Sequence, residues 1–68
     1  MKVISQMISS IVYDPDTETL EVEFASNNSL YQYSKVPKYL YDSFMNDKSK
    51  GRFFLDKIKP FYEGTKLR

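Results

Sequence analysis

The chain contains no cysteine, no histidine and no tryptophan. Without cysteine there is no disulfide to staple a small fold and no thiolate to act as nucleophile or metal ligand. Without histidine there is no imidazole base and no imidazole ligand. No long apolar run occurs, so no membrane span is expected. The first seven residues, Met1 to Met7, are broken by polar side chains within a few positions and do not read as a signal peptide. Three acids, Asp14, Asp16 and Glu18, superficially suggest a calcium loop, but the glycine and the closing bidentate glutamate of such a loop are missing. No cofactor or metal is expected, and the chain reads as non-enzymatic.

What the chain does have is aromatic mass: six tyrosines and five phenylalanines among 68 residues. A chain this short makes one domain and buries only about 60% of its unfolded surface. Each buried aromatic removes about 150–250 Å² from water, so a few of them can build the core. That content also argues against disorder. Absence of cysteine fits a reducing cytoplasm. Charge is nearly balanced but unevenly placed. Residues 1–34 carry one lysine and five acids, a sum of −4, and residues 35–68 carry nine basic and four acidic residues, a sum of +5. A basic half suits nucleic acid, nucleotides or an acidic partner, or it merely balances the acidic half.

The order of elements follows from the side-chain period. Ile8 to Tyr13 is short and β-branched and reads as a strand. Asp14-Pro15-Asp16-Thr17-Glu18 supplies turn chemistry. Thr19 to Phe24 alternates strictly, with Leu20, Val22 and Phe24 on one face and Glu21 and Glu23 on the other. Ala25 to Ser29 is a second turn, where asparagine tolerates a left-handed backbone. Leu30 to Ser34 is a third strand with Tyr31 and Tyr33 on one face. The period then changes: Val36, Leu40 and Phe44 recur every four residues, and Pro37 suits a first helical turn, so a helix is predicted over 37–46. Ser49 is placed to cap a second helix with its side chain, and Pro60 to end it. Phe61 and Tyr62 are expected to dock, and residues 1–7 and 63–68 to fray. The fold class is α+β: a three-stranded antiparallel β-meander followed by two short helices packed on one face.

Four pieces in this order, "SSIVYDPDTETLEVEF", "YQY", "VPKYLYDSFM" and "SKGRFFLDKIKPFY", resemble the KTSC domain family across roughly residues 9–62. That family is found at the C-terminus of some lysyl-tRNA synthetases and as stand-alone bacterial and phage-borne proteins. Leu55 departs from the pattern, since many relatives carry a polar residue after the two phenylalanines. The resemblance implies RNA as a ligand through the synthetase association alone, and it carries no defined activity.

Candidate site residues come from the basic and aromatic positions. Lys48, Lys50, Arg52, Lys57 and Lys59 surround the second helix and are candidates to position phosphates, with Arg52 foremost because its planar fork suits phosphate geometry. Tyr31, Tyr33 and Tyr39 are candidates to stack bases. For Tyr31 and Tyr33 the alternation favours an inward, core position, because Gln32 between them is at home in water. Of Phe53 and Phe54 only one can enter the core directly. The leading expectation is a small cytoplasmic module binding RNA or another phosphate-bearing ligand such as a nucleotide. The alternatives are a protein-interaction module that occludes a host protein and a homo-oligomer that sequesters a small nucleotide.

Overall fold

The computed structural model describes residues 7–68. Strands β1 (Ile8–Asp14), β2 (Thr19–Phe24) and β3 (Leu30–Tyr33) lead into helix α1 (Lys38–Asn46). Helix α2 (Lys50–Phe53) continues directly as a π-helical segment (Phe54–Ile58), and strand β4 (Gly64–Lys66) closes the chain. The sheet is antiparallel in the order β1-β2-β3-β4. The meander and the two helices are as the sequence reading has them. The tail expected to fray is instead the fourth strand, with Tyr31 opposite Lys66 and Tyr33 opposite Gly64. At the other end, Met7 is tied in by the Ala25 N–H, which donates to its carbonyl at 2.9 Å. The remainder of the expected N-terminal fray, residues 1–6, lies outside the described residues.

One face of the sheet meets the helical segments. Ile8, Ile11, Leu20, Val22, Tyr33, Val36, Phe44, Phe54 and Ile58 form the buried core. Ile8 and Ile11 are an odd number of residues apart, so a regular strand would aim them at opposite faces. A register shift between Ile8 and Ser10 adds one residue to β1 and brings both inward. The opposite face carries Val12, Thr19, Glu21 and Gln32, and among the described residues no helical residue lines the hollow there.

The turns follow the local chemistry read above. The Asp14 carboxylate accepts from the Asp16 N–H at 3.0 Å, and Asn28 takes the left-handed backbone with φ 57°. Glu18 and Lys35 do the same at 55° and 61°, positions where a side chain is normally disfavoured. Both flank one tie: the Val36 N–H donates to the Glu18 carbonyl at 2.8 Å. The Tyr13 hydroxyl donates to the Val36 carbonyl at 2.6 Å, and the Tyr13 ring stacks on Tyr41 of α1 at 4.5 Å. The hairpin β1–β2 thus satisfies both backbone groups of Val36 and sets where α1 begins. Pro37 stands just before that helix, which starts at Lys38.

Two local expectations need correction. Ser49 occupies the cap position of α2, but its side chain makes no capping bond. Its backbone N–H instead donates to the Asp47 carboxylate at 2.8 Å, so the short side chain of Asp47 organises the junction as an Asx turn. Phe61 does not dock and is 72% exposed, whereas Tyr62 packs against the core. Of the phenylalanine pair, Phe54 is the buried one and Phe53 lies stacked on Phe44 at 5.4 Å.

Gly64 is required by a close approach. A Cβ there would lie 2.6 Å from Cε1, 2.8 Å from Cζ and 2.9 Å from the hydroxyl of Tyr33. Gly64→Ala is therefore expected to displace the Tyr33 ring and destabilise the domain by about 1–3 kcal/mol. Thermal unfolding followed by circular dichroism should register this as a drop of about 5–20 °C. Thr65→Ala, at the neighbouring position on the other face, should change little. Equal melting of Gly64→Ala and wild type would mean that the ring swings aside freely.

Candidate functional site

Where the sheet, the β2–β3 turn and the second helical segment meet, they leave a groove of about 280 Å³. It is lined by Phe24, Tyr31 and Tyr33 from the sheet, Ser26 and Asn27 from the turn, Phe54 and Lys59 from the helical side, and Met7. The aromatic members form a chain of edge-to-face contacts. Tyr31 meets Phe24 at 5.5 Å, Phe24 meets Phe54 at 5.3 Å, and Phe54 meets Tyr33 at 5.4 Å. Such contacts fix ring orientation beyond simple area burial.

The rings are not equally available. Tyr33 and Phe54 form the floor and are 5% and 1% exposed. Burial, with Tyr31 adding to it, pushes the Tyr33 phenol above its ordinary range, so it stays a neutral hydroxyl. Phe24 and Tyr31 are only half-buried and form the accessible apolar walls. The alternation that favoured an inward Tyr-x-Tyr pair is therefore the arrangement found, and of the pair Tyr31 alone keeps substantial surface.

Lys59 reaches this groove because the helix widens. Five steps of an α-helix, at about 100° each, would rotate position 59 well away from position 54. The Lys59 N–H instead donates to the Phe54 carbonyl at 2.9 Å, a π-type bond. That turn brings Lys59 back over Phe54, and both line the groove. Widened turns of this kind recur at functional sites. Nothing in the sequence marks it, because Phe54 and Ile58 four residues apart fit an ordinary helix equally well.

The other expected site residues lie elsewhere. Lys48, Lys50, Arg52, Lys57 and Tyr39 are not among the residues that line the groove. Arg52 pairs with Asp56 at 3.5 Å, and the Lys50 ammonium donates to the Asp47 carbonyl at 3.0 Å. Tyr39 is 73% exposed on α1. Sequence reasoning missed Phe24, Ser26 and Asn27. It also missed Lys66, whose place opposite Tyr31 in β4 puts both side chains on one face. No strand was expected there, so no facing could be read. The charge asymmetry survives folding as a difference between layers. All five acids of the N-terminal half lie on β1, β2 or their turn. Lys38, Lys50, Arg52 and Lys57 lie on the helical segments, with Lys48 and Lys59 beside them. Among the described residues Lys35, Lys48, Lys50, Lys57, Lys59 and Lys66 take part in no ion pair.

Among the described residues no group of three or more potential ligands could hold a metal ion, and no helix is long and apolar enough to cross a membrane.

Residues 4–62 match the family profile of the KTSC domain. The chain belongs to the KTSC domain family. A KTSC domain protein of Yersinia pestis, known from its crystal structure, is 41% identical and superposes with a TM-score of 0.94, covering 100% of this chain and 94% of that one. An uncharacterized protein of Stutzerimonas stutzeri is 39% identical over 56 residues, 82% of this chain and 78% of the other. A lysine–tRNA ligase of a Nostoc species is 39% identical over 67 residues, 98% of this chain but 12% of that enzyme.

This KTSC domain also ties its tail to its first strands through Glu23. The carboxylate accepts from the hydroxyls of Ser9 at 3.0 Å and Ser10 at 3.1 Å, and its second oxygen pairs with Arg68. The two serine hydroxyls, and then Arg68, hold the Glu23 carboxyl below its ordinary value of 4.5. A depressed carboxyl stabilises the fold above its unfolded value, and this contribution is lost as pH falls through the folded value. From pH 7 down to about pH 5, wild type should therefore melt above Glu23→Gln, and the gap should close below about pH 4. Melting curves across that range check it. A gap independent of pH would mean that shape and not charge is responsible.

Proposed function

We propose that this KTSC domain is a non-catalytic module that binds RNA, with the groove between the β2–β3 turn and the second helical segment as its contact point. The observation that carries this reading is the union in one groove of half-buried Phe24 and Tyr31 with the basic residue Lys59. Aromatic faces beside a cation are what an unstacked base and its phosphate require. The charge layering supports the same approach: five acids sit on the first two strands and the turn between them, whereas the helical segments bear Lys38, Lys50, Arg52 and Lys57 against Asp42 and Asp56. The lysine–tRNA ligase that shares this domain is a relative whose name places it with an RNA substrate. A chain without cysteine suits the cytoplasm, where such a ligand is found. The absence of histidine and cysteine leaves binding as the simpler task for this surface.

A second reading rests on Tyr39 and Phe61, which are 73% and 72% exposed and lie outside the groove. Aromatics of that kind anchor protein partners. Such a partner is the outcome favoured if RNA fails.

Fluorescence anisotropy with short labelled single-stranded RNA tests the first reading. Tyr31→Ala should weaken binding about 5- to 100-fold, with melting curves confirming that the variant is folded. Lys59→Glu should weaken binding and reduce the slope of log affinity against log salt by about one phosphate contact. Lys48→Glu, outside the groove, should have a smaller effect. Absence of binding at low salt would remove the proposal and direct attention to Tyr39 and Phe61.

A further inference from the structure

The groove is small and its mouth is one-sided in hydrogen-bonding character. At about 280 Å³ it lies at the lower end of the volumes that hold small ligands. Surfaces that track a run of nucleotides instead present successive stacking platforms along a basic channel. Here Phe24 and Tyr31 alone among the lining rings keep substantial surface, and they touch each other edge to face.

Two of the polar groups that line the groove can only donate. Lys59 brings an ammonium that can only donate. Asn27 brings an amide whose orientation is set by its neighbour. Its oxygen accepts from the Ser29 N–H at 3.1 Å, and a backbone N–H can be received only by the oxygen, so the NH2 is the group left for the groove. Ser26, Tyr31 and Tyr33 add hydroxyls that donate or accept, and among the described residues no carboxylate lines the groove. Lys66, on the same face as Tyr31 and opposite it in register, adds a second cation beside the aromatic wall. A cluster of donors and cations next to aromatic walls fits a ligand with a flat ring and an acceptor-only anion close to it.

Building on the RNA-binding reading, we propose that the groove takes a single nucleotide, its base against Phe24 and Tyr31 and its phosphate held at the mouth by Lys59 and the Asn27 amide. The domain then recognises a base that is already unstacked, at an end or a bulge, and does not follow a strand. Asn27 is the residue that makes this site more than a basic surface, because its turn geometry spends the acceptor internally and presents the donor outward.

Asn27→Asp separates the two roles of that residue. The aspartate keeps an oxygen for the Ser29 N–H and so preserves the turn, while it replaces the donor with a negative charge. Nuclear magnetic resonance titrations with uridine monophosphate, uridine and uridine RNAs up to about eight nucleotides form the test. The expected result has three parts. Uridine monophosphate shifts the signals of Phe24, Tyr31 and Asn27, and uridine binds about tenfold or more weakly. Asn27→Asp loses about tenfold or more in affinity for the monophosphate with an unchanged melting temperature. Affinity per nucleotide stays flat as the RNA lengthens.

Affinity per nucleotide that climbs with length, with Asn27→Asp behaving as wild type, would overturn the single-nucleotide site and leave RNA binding standing. Failure of every nucleotide and RNA to bind would overturn both. Shifts of the same signals by a peptide ending in an aromatic residue with a free carboxylate, but not by uridine monophosphate, would show that the anion is a carboxylate and overturn the assignment.

Discussion

The contact on which the rest of the molecule depends is the ring of Tyr33 lying across the backbone of Gly64. It joins three parts of the chain at one point. Tyr33 belongs to the third strand, Gly64 begins the fourth, and the ring also meets Phe54 at the start of the π-helical segment. Glycine is needed because any side chain would occupy the space of the ring. In a domain of 68 residues without disulfides, each such junction counts heavily, since a small core leaves a narrow margin of stability. The pairing of β4 with β3 extends the sheet to four strands and brings Lys66 beside Tyr31. The core contact and the cation opposite Tyr31 thus share an origin.

The groove itself is a by-product of that junction. The second helical segment buries Phe54 and Ile58 against the sheet, and the β2–β3 turn lies near Phe54 on the groove's other side. Between them Phe24 and Tyr31 stay partly uncovered, because the core is complete without their outer edges. Lys59 arrives through the widened turn, which trades a regular helical bond for a different direction of the side chain. The five acids of the N-terminal half lie on the first two strands and their turn, with Glu23 held by the Ser9 and Ser10 hydroxyls and paired with Arg68.

Much of the fold was legible because it follows from period and turn chemistry. Leu20, Val22 and Phe24 alternate, so β2 and its inward face could be read directly. Asp14 and Asn28 did the work their side chains favour in turns. Phe53 and Phe54 could be sorted into one core and one lesser position, although not which was which. The fourth strand was not legible: Gly64, Thr65 and Lys66 are few and polar, and their order comes from pairing with β3 and not from propensity. Ser49 looked like a side-chain cap, but Asp47 took over the local hydrogen bonding with a carboxylate two residues earlier.

The candidate site divides along the same line. The chain alone determines that an aromatic core is needed, that its basic residues crowd toward the C-terminal half, and that Tyr31 and Tyr33 point one way. Those properties depend on composition and on the two-residue repeat of a strand. Which bases meet which rings was decided only in three dimensions. Lys59 rather than Arg52 reaches the aromatic groove because a π-type turn redirects it, and Asn27 joins it because a hydrogen bond to Ser29 orients its amide. Each of those bonds is local, but the groove that Lys59 and Asn27 line together exists only where the helical side packs beside the β2–β3 turn, and spacing along a chain cannot encode a distance that exists only after the segments pack.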